Sequence, residues 1–131
     1  MNCKNARTGN LLVIAVLVAI SISTSCYANA QSELDWADWY FDGGDFQAAK
    51  DAYHQIISDY TGSDYALIAR KQLAITEIML GNIAAAQEAT NQLQAEFSDE
   101  PNLVSAVFEI GREYKQQGFL KDAKDIFAEI A

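Results

Sequence analysis

The chain has 131 residues, half of them apolar, a single proline and a formal charge of −9. This composition fits one globular, mostly helical domain and excludes a disordered chain. The acidic balance argues against nucleic acid or an anionic membrane surface as partner, because both need clustered Lys and Arg to displace counterions.

In chain order, residues 1–30 read as a secretory signal. Lys4 and Arg7 give a positive segment, Leu11 to Ile22 an apolar run of 12 residues, and Ala28-Asn29-Ala30 a small-x-small cleavage site. Cleavage is expected after Ala30, leaving a periplasmic or secreted chain that begins at Gln31. An uncleaved anchor would need about 20 apolar residues, and this run gives way to Ser21, Ser23, Thr24 and Ser25. A lipid anchor on Cys26 would want an aliphatic residue where Ser23 stands. Removing residues 1–30 takes away Cys3 and Cys26, so no disulfide and no thiolate metal site is expected. It also removes two of the nine basic residues, leaving seven against eighteen acidic, a net charge of −11.

From Gln31 onward the chain repeats. Gly44, Gly81 and Gly118 are spaced by 37 residues. Two positions after each stand Phe46, Ile83 and Leu120; five after, Ala49, Ala86 and Ala123; nine after, Tyr53, Thr90 and Phe127; four before, Tyr40, Glu77 and Tyr114. The second copy departs from the others at Glu77 and Thr90. Apolar residues recur at helical spacing on both sides of each glycine, so each copy is expected to be a helix hairpin. The glycine ends its first helix by taking left-handed backbone angles. The alanine allows close approach of the two helices, and the aromatic fills the gap beside the next copy. One hairpin cannot bury both its faces, so the copies must stack.

Between copies, Thr61-Gly62-Ser63-Asp64 ends one hairpin and offers Ser63 as a cap. Ser98-Asp99-Glu100-Pro101 offers the same service, with proline tolerated in the first helical turn. The predicted helices run over about 33–42, 45–59, 64–80, 82–97, 100–117 and 119–131, with no strand.

The set Tyr40, Gly44, Phe46, Ala49 and Tyr53, repeated as Gly111, Tyr114, Gly118, Ala123 and Phe127, resembles the tetratricopeptide repeat. The resemblance covers residues 31–131, in copies of about 31–62, 63–99 and 100–131. It implies an all-α, right-handed α-solenoid of three helix hairpins. The copies are longer than the usual repeat, and Thr61 replaces the proline that normally ends the second helix. In this they look like the variant found in bacterial outer-membrane assembly lipoproteins and in the cell-division coordinator associated with the Tol-Pal system.

The resemblance implies protein binding, with an extended segment or helix held in the concave groove lined by the first helix of each hairpin. The family's usual contact positions fall on Gln31, Leu34, Asp38, Phe41 and Asp42, then Ile68, Lys71, Ile75, Ile78 and Met79, then Ser105, Phe108, Arg112, Lys115 and Gln116. Of these, Asp38, Phe41, Asp42, Lys71, Ile75, Met79, Phe108, Arg112, Lys115 and Gln116 form the expected partner-binding set. Ile75, Ile78 and Phe108 compete for hairpin core positions, whereas Lys71, Arg112 and Lys115 stand out because cations are scarce. Asparagines of the kind used by relatives that grip a C-terminal carboxylate are absent from these positions.

Catalytic patterns are lacking. His54 is the only histidine and lies on a helix surface. Asp42-Gly43-Gly44-Asp45 lacks the ligand spacing of a calcium loop and reads as a turn with a helix-capping aspartate. No enzymatic activity, cofactor, metal or small-molecule substrate is expected. Trp36 and Trp39 share a face of the first helix and read as a capping contact over the first hairpin. As an exposed pair they would instead suit polysaccharide or peptidoglycan. Ile126, Phe127 and Ile130 leave an apolar edge at the third copy, which suits self-association as an oligomerisation module.

Overall fold

The computed structural model describes the backbone of residues 13–131 and the side chains from residue 28 onward. Lys4, Arg7, Cys3 and the start of the expected apolar run lie outside the described residues, as does the side chain of Cys26. Among the described residues there are six helices and no strand. They are α1 (Val13–Asp42), α2 (Phe46–Asp59), α3 (Asp64–Met79), α4 (Ile83–Glu96), α5 (Leu103–Gln116) and α6 (Leu120–Glu129). From α2 onward the ends fall within three residues of those expected. Helix α1 is the exception, because it runs unbroken through Ala30, where cleavage is expected. No helix among the described residues is long and apolar enough to cross a membrane.

The three spaced glycines do what their position requires. Gly44, Gly81 and Gly118 have φ of 79°, 76° and 86°. Beyond each, a backbone N–H folds back five residues: Asp45 to the Tyr40 carbonyl at 2.9 Å, Asn82 to Glu77 at 2.8 Å, and Phe119 to Tyr114 at 2.8 Å. The glycine N–H bonds three residues back in each case, so two orphan carbonyls of the preceding helix are satisfied. The next helix then starts at once, and at the first turn the Asp45 carboxylate accepts from the Ala48 N–H at 3.1 Å.

The linkers between copies differ. Ser63 caps α3 by accepting from the Ala66 N–H at 3.2 Å. Ser98 does not act as its counterpart. Successive turns, Glu100 to Phe97 and Leu103 to Glu100, carry the chain past Pro101, and α5 begins only at Leu103 with no side-chain cap.

Helices adjacent in sequence pack together, and α3 lies centrally, touching α1, α2, α4 and α5. The small residues are enclosed between the helices: Ala49, Ala86 and Ala123 are all buried, as are Ala37 and Ala74 on the opposed helices. Gly111 stands where those copies have Ala37 and Ala74. A Cβ there would lie 2.7 Å from Phe127 Cε1 and 3.1 Å from Ile126 Cγ2.

The two departures of the second copy are buried polar groups with partners. Glu77, 4% exposed, pairs with Lys50 Nζ at 2.6 Å and accepts from Asn82 Nδ2 at 2.9 Å. Thr90 donates to the Ala86 carbonyl at 2.8 Å within its own helix. Neither position fails to pack; each exchanges aromatic surface for a satisfied polar contact.

Candidate functional site

The first helices of the second and third copies, α3 and α5, run beside each other and leave a groove. Asp64, Leu67, Ile68 and Lys71 line it from α3, and Asn102, Ser105, Ala106 and Glu109 from the α5 side. Leu67 and Ala106 belong to the buried core and Ile68 is half-buried, so the lower walls are apolar. Across the groove Lys71 Nζ meets Glu109 Oε2 at 2.7 Å, and both side chains retain solvent contact. A partner group could therefore compete for either charge without desolvating a fully buried pair.

The expected binding set divides accordingly. Lys71 is brought into the groove together with Ile68 and Ser105, which the family positions also mark. Arg112, Lys115 and Gln116 are exposed further along α5, with neither cation in an ion pair among the described residues. Phe108 is 51% exposed, with its ring 5.5 Å from that of Phe127. Asp42 is exposed and Met79 half-buried.

Three members are taken up by the fold. Ile75 is buried in the core, and so is Ile78 from the wider set of family positions. Asp38 accepts a hydrogen bond from the Tyr53 hydroxyl at 2.6 Å, and Gln72 Nε2 approaches the same oxygen at 3.4 Å. Phe41 stacks edge-on against Phe46, with centroids 5.3 Å apart.

Asp64, Asn102 and Glu109 line the groove without having been singled out in the sequence. Glu109 carried a faint signal, since it lies one residue past the third-copy equivalent of Lys71 and has the opposite charge.

Two other surfaces bear on function. Trp36 and Trp39 are not a capping contact: they are 60% and 62% exposed, edge to face at 5.8 Å, with Ser32 and Asp35 beside them. The expected apolar edge on α6 is also revised, because Ile126 is buried against Gly111 while Phe127 and Ile130 are half-buried. The exposed apolar side chains of the third copy are Val104, Phe108 and Leu120. His54 is exposed on α2. Among the described residues no group of three or more His, Cys, Asp and Glu is placed to hold a metal ion.

No curated protein and no solved structure matches this chain. Residues 31–63, the first of the three copies, match the tetratricopeptide repeat family. That match covers the first copy alone, and the other two share its turn geometry at Gly81 and Gly118.

Proposed function

We propose that this protein is a non-catalytic adaptor that holds a segment of another protein in the groove between α3 and α5. Tetratricopeptide repeats generally mediate protein–protein interaction, and the single observation that carries the reading here is the composition of that groove. Its apolar walls, Leu67, Ile68 and Ala106, are flanked by Asp64, Asn102 and Ser105 and crossed by the solvent-accessible Lys71–Glu109 pair. Apolar pockets supply the affinity for a bound segment, and the placed charges supply its orientation. A right-handed superhelical stack would make this groove part of a continuous inner surface, with Arg112 and Lys115 extending it.

The reading is tested by a photo-crosslinking residue placed at Ser105 and, as a control, at Gln47 on the exposed face of α2. Discrete protein adducts at Ser105 that are absent at Gln47, and reduced by Lys71→Glu, support it. Equal labelling at both positions removes the groove as the binding site.

The setting we propose is the bacterial cell envelope, entered through export on residues 1–30. The basis is the charged, apolar and small-x-small order of that segment. The N-terminal sequence of the protein recovered from expressing cells tests it, with Gln31 as the expected first residue. Retention of residues 1–30 would overturn that part of the reading. Processing there would remove Ala30, which is fully buried, and Asn29, which donates to Glu33 at 2.8 Å and to the Tyr60 hydroxyl at 3.3 Å. The processed and unprocessed chains should therefore differ measurably in stability.

A further inference from the structure

Trp36 and Trp39 are the only two tryptophans of the chain, and both stand exposed on α1 while Leu34 and Ala37 of the same helix are buried. Ser32, Asp35, Trp36 and Trp39 fall at successive helical spacings of three and four, so one face of α1 gathers them into a single open pocket.

The arrangement of the rings selects among ligands. Their planes stand at 80° with centroids 5.8 Å apart, the edge of one against the face of the other. They form a corner walled by two ring faces. A pair at right angles does not extend a flat stacking surface for a sugar ring, whereas a compact cation seated in the corner meets the negative faces of aromatic rings. Trp39 is steadied in turn by Tyr40, at 5.4 Å and 65°.

The polar side of the pocket narrows the choice further. Asp35 accepts from Gln31 Nε2 at 2.7 Å through one oxygen, and a carboxylate has about four acceptor sites, so it remains open to further donors. The pocket therefore favours a cation that carries N–H groups. A quaternary ammonium has none, and the lysine ammonium is compact and strongly hydrated. The guanidinium of arginine is planar and weakly hydrated, and it stacks on an aromatic face while its fork meets a carboxylate.

The described residues hold no spare cation for this pocket nearby. Residues 28–49 contain neither Lys nor Arg, while Glu33, Asp38 and Asp42 add negative charge along α1. On the two helices packed against α1, Lys50 is held by Glu77, Arg70 by Glu96 and Lys71 by Glu109.

We infer that the Trp36–Trp39 corner binds an arginine side chain of a partner protein, with the guanidinium against the tryptophan rings and its N–H groups donating to the Asp35 carboxylate. None of the four pocket residues lines the groove between α3 and α5. This is a second contact point, and it stands or falls independently of the groove.

Because the chain has no other tryptophan, intrinsic tryptophan emission reads this pocket alone. The test titrates the protein as recovered from expressing cells, at physiological salt to screen general attraction to an acidic chain. The probes are a capped glycine-arginine-glycine tripeptide, its lysine counterpart, phosphocholine and a chitin tetrasaccharide. Two variants accompany them: Asp35→Asn, and Asp99→Asn as the same loss of charge at an exposed linker residue outside the pocket. Circular dichroism confirms that both keep their helix content.

A saturable change in emission with the arginine peptide, in the millimolar range and tighter than with the other three probes, is the expected result. Asp35→Asn should weaken it about tenfold, as loss of a hydrogen bond to a charged group does, and Asp99→Asn should leave it unchanged. No saturable change with the arginine peptide overturns the inference. So does an Asp35→Asn variant that binds as tightly as the unmodified chain, or an equal loss in Asp99→Asn, which would reduce the effect to net charge. Equal or tighter binding of the lysine peptide, phosphocholine or the saccharide also overturns it, and assigns the corner to an ammonium, a lipid headgroup or a glycan instead.

Discussion

The Tyr53 hydroxyl donates to Asp38 Oδ1 at 2.6 Å, closing a link between α1 and α2 beneath the first glycine turn. Tyr53 is fully buried, so its hydroxyl has no access to bulk water in exchange. Tyr114 is equally buried, yet its hydroxyl has no hydrogen-bond partner. The same chemical change should therefore have different consequences at the two positions. Tyr53→Phe is expected to cost about 1–2 kcal/mol, and Tyr114→Phe less than about 0.5 kcal/mol, because only the first removes a formed bond. Urea unfolding of the two variants side by side measures the contrast.

Lys50 and Glu77 make the corresponding test of the second copy. Lys50→Met leaves the buried Glu77 carboxylate with Asn82 as its remaining partner, and should cost about 2 kcal/mol or more. Adding Glu77→Leu removes the stranded charge and should return the protein to within about 1 kcal/mol of its starting stability. A double variant no more stable than Lys50→Met alone would show that the carboxylate contributes more than its pairing.

Gly111 is a helical glycine kept for space and not for backbone angle. In Gly111→Ala the new methyl would meet the Phe127 ring and Ile126, so the usual gain of about 1 kcal/mol for alanine in a helix should be reversed. We expect a net loss of about 1–2 kcal/mol. The loss should shrink in a Phe127→Leu background, and a double-mutant cycle by thermal unfolding reads the coupling.

Alkaline pH should destabilise the fold. Burial raises the Tyr53 hydroxyl above its ordinary 10.0, reinforced by the hydrogen bond to Asp38, and burial pushes Tyr114 up to about 12. The unfolded chain releases these protons near pH 10 while the folded chain still holds them. The folded state therefore binds more protons above pH 10, and stability falls as pH rises towards and through about 12. Below pH 10 this contribution is fully present. Urea midpoints from about pH 8 to about pH 11.5 should be level and then decline, by up to about 1.4 kcal/mol per pH unit for each tyrosine. A Tyr53→Phe, Tyr114→Phe double variant should decline less steeply.

What the sequence by itself determined is whatever depends on a few neighbouring residues. Gly44, Gly81 and Gly118 end their helices because a left-handed residue at that point satisfies the last carbonyls, and Ser63 and Asp45 act as caps by accepting from N–H groups three residues on. The 37-residue recurrence is equally local, being a periodicity in residue type. Only the tertiary structure decided which side chains remained available. Asp38 stood on the expected binding face but was claimed by Tyr53, Lys71 acquired Glu109 across a groove, and Ile75 was enclosed by neighbouring helices. Trp36 and Phe108 were left exposed, whereas their counterparts Leu73, Ile110 and Leu34 were buried. These outcomes depend on packing between elements 15 to 38 residues apart, and are fixed only when helices with similar apolar stripes are stacked in one order.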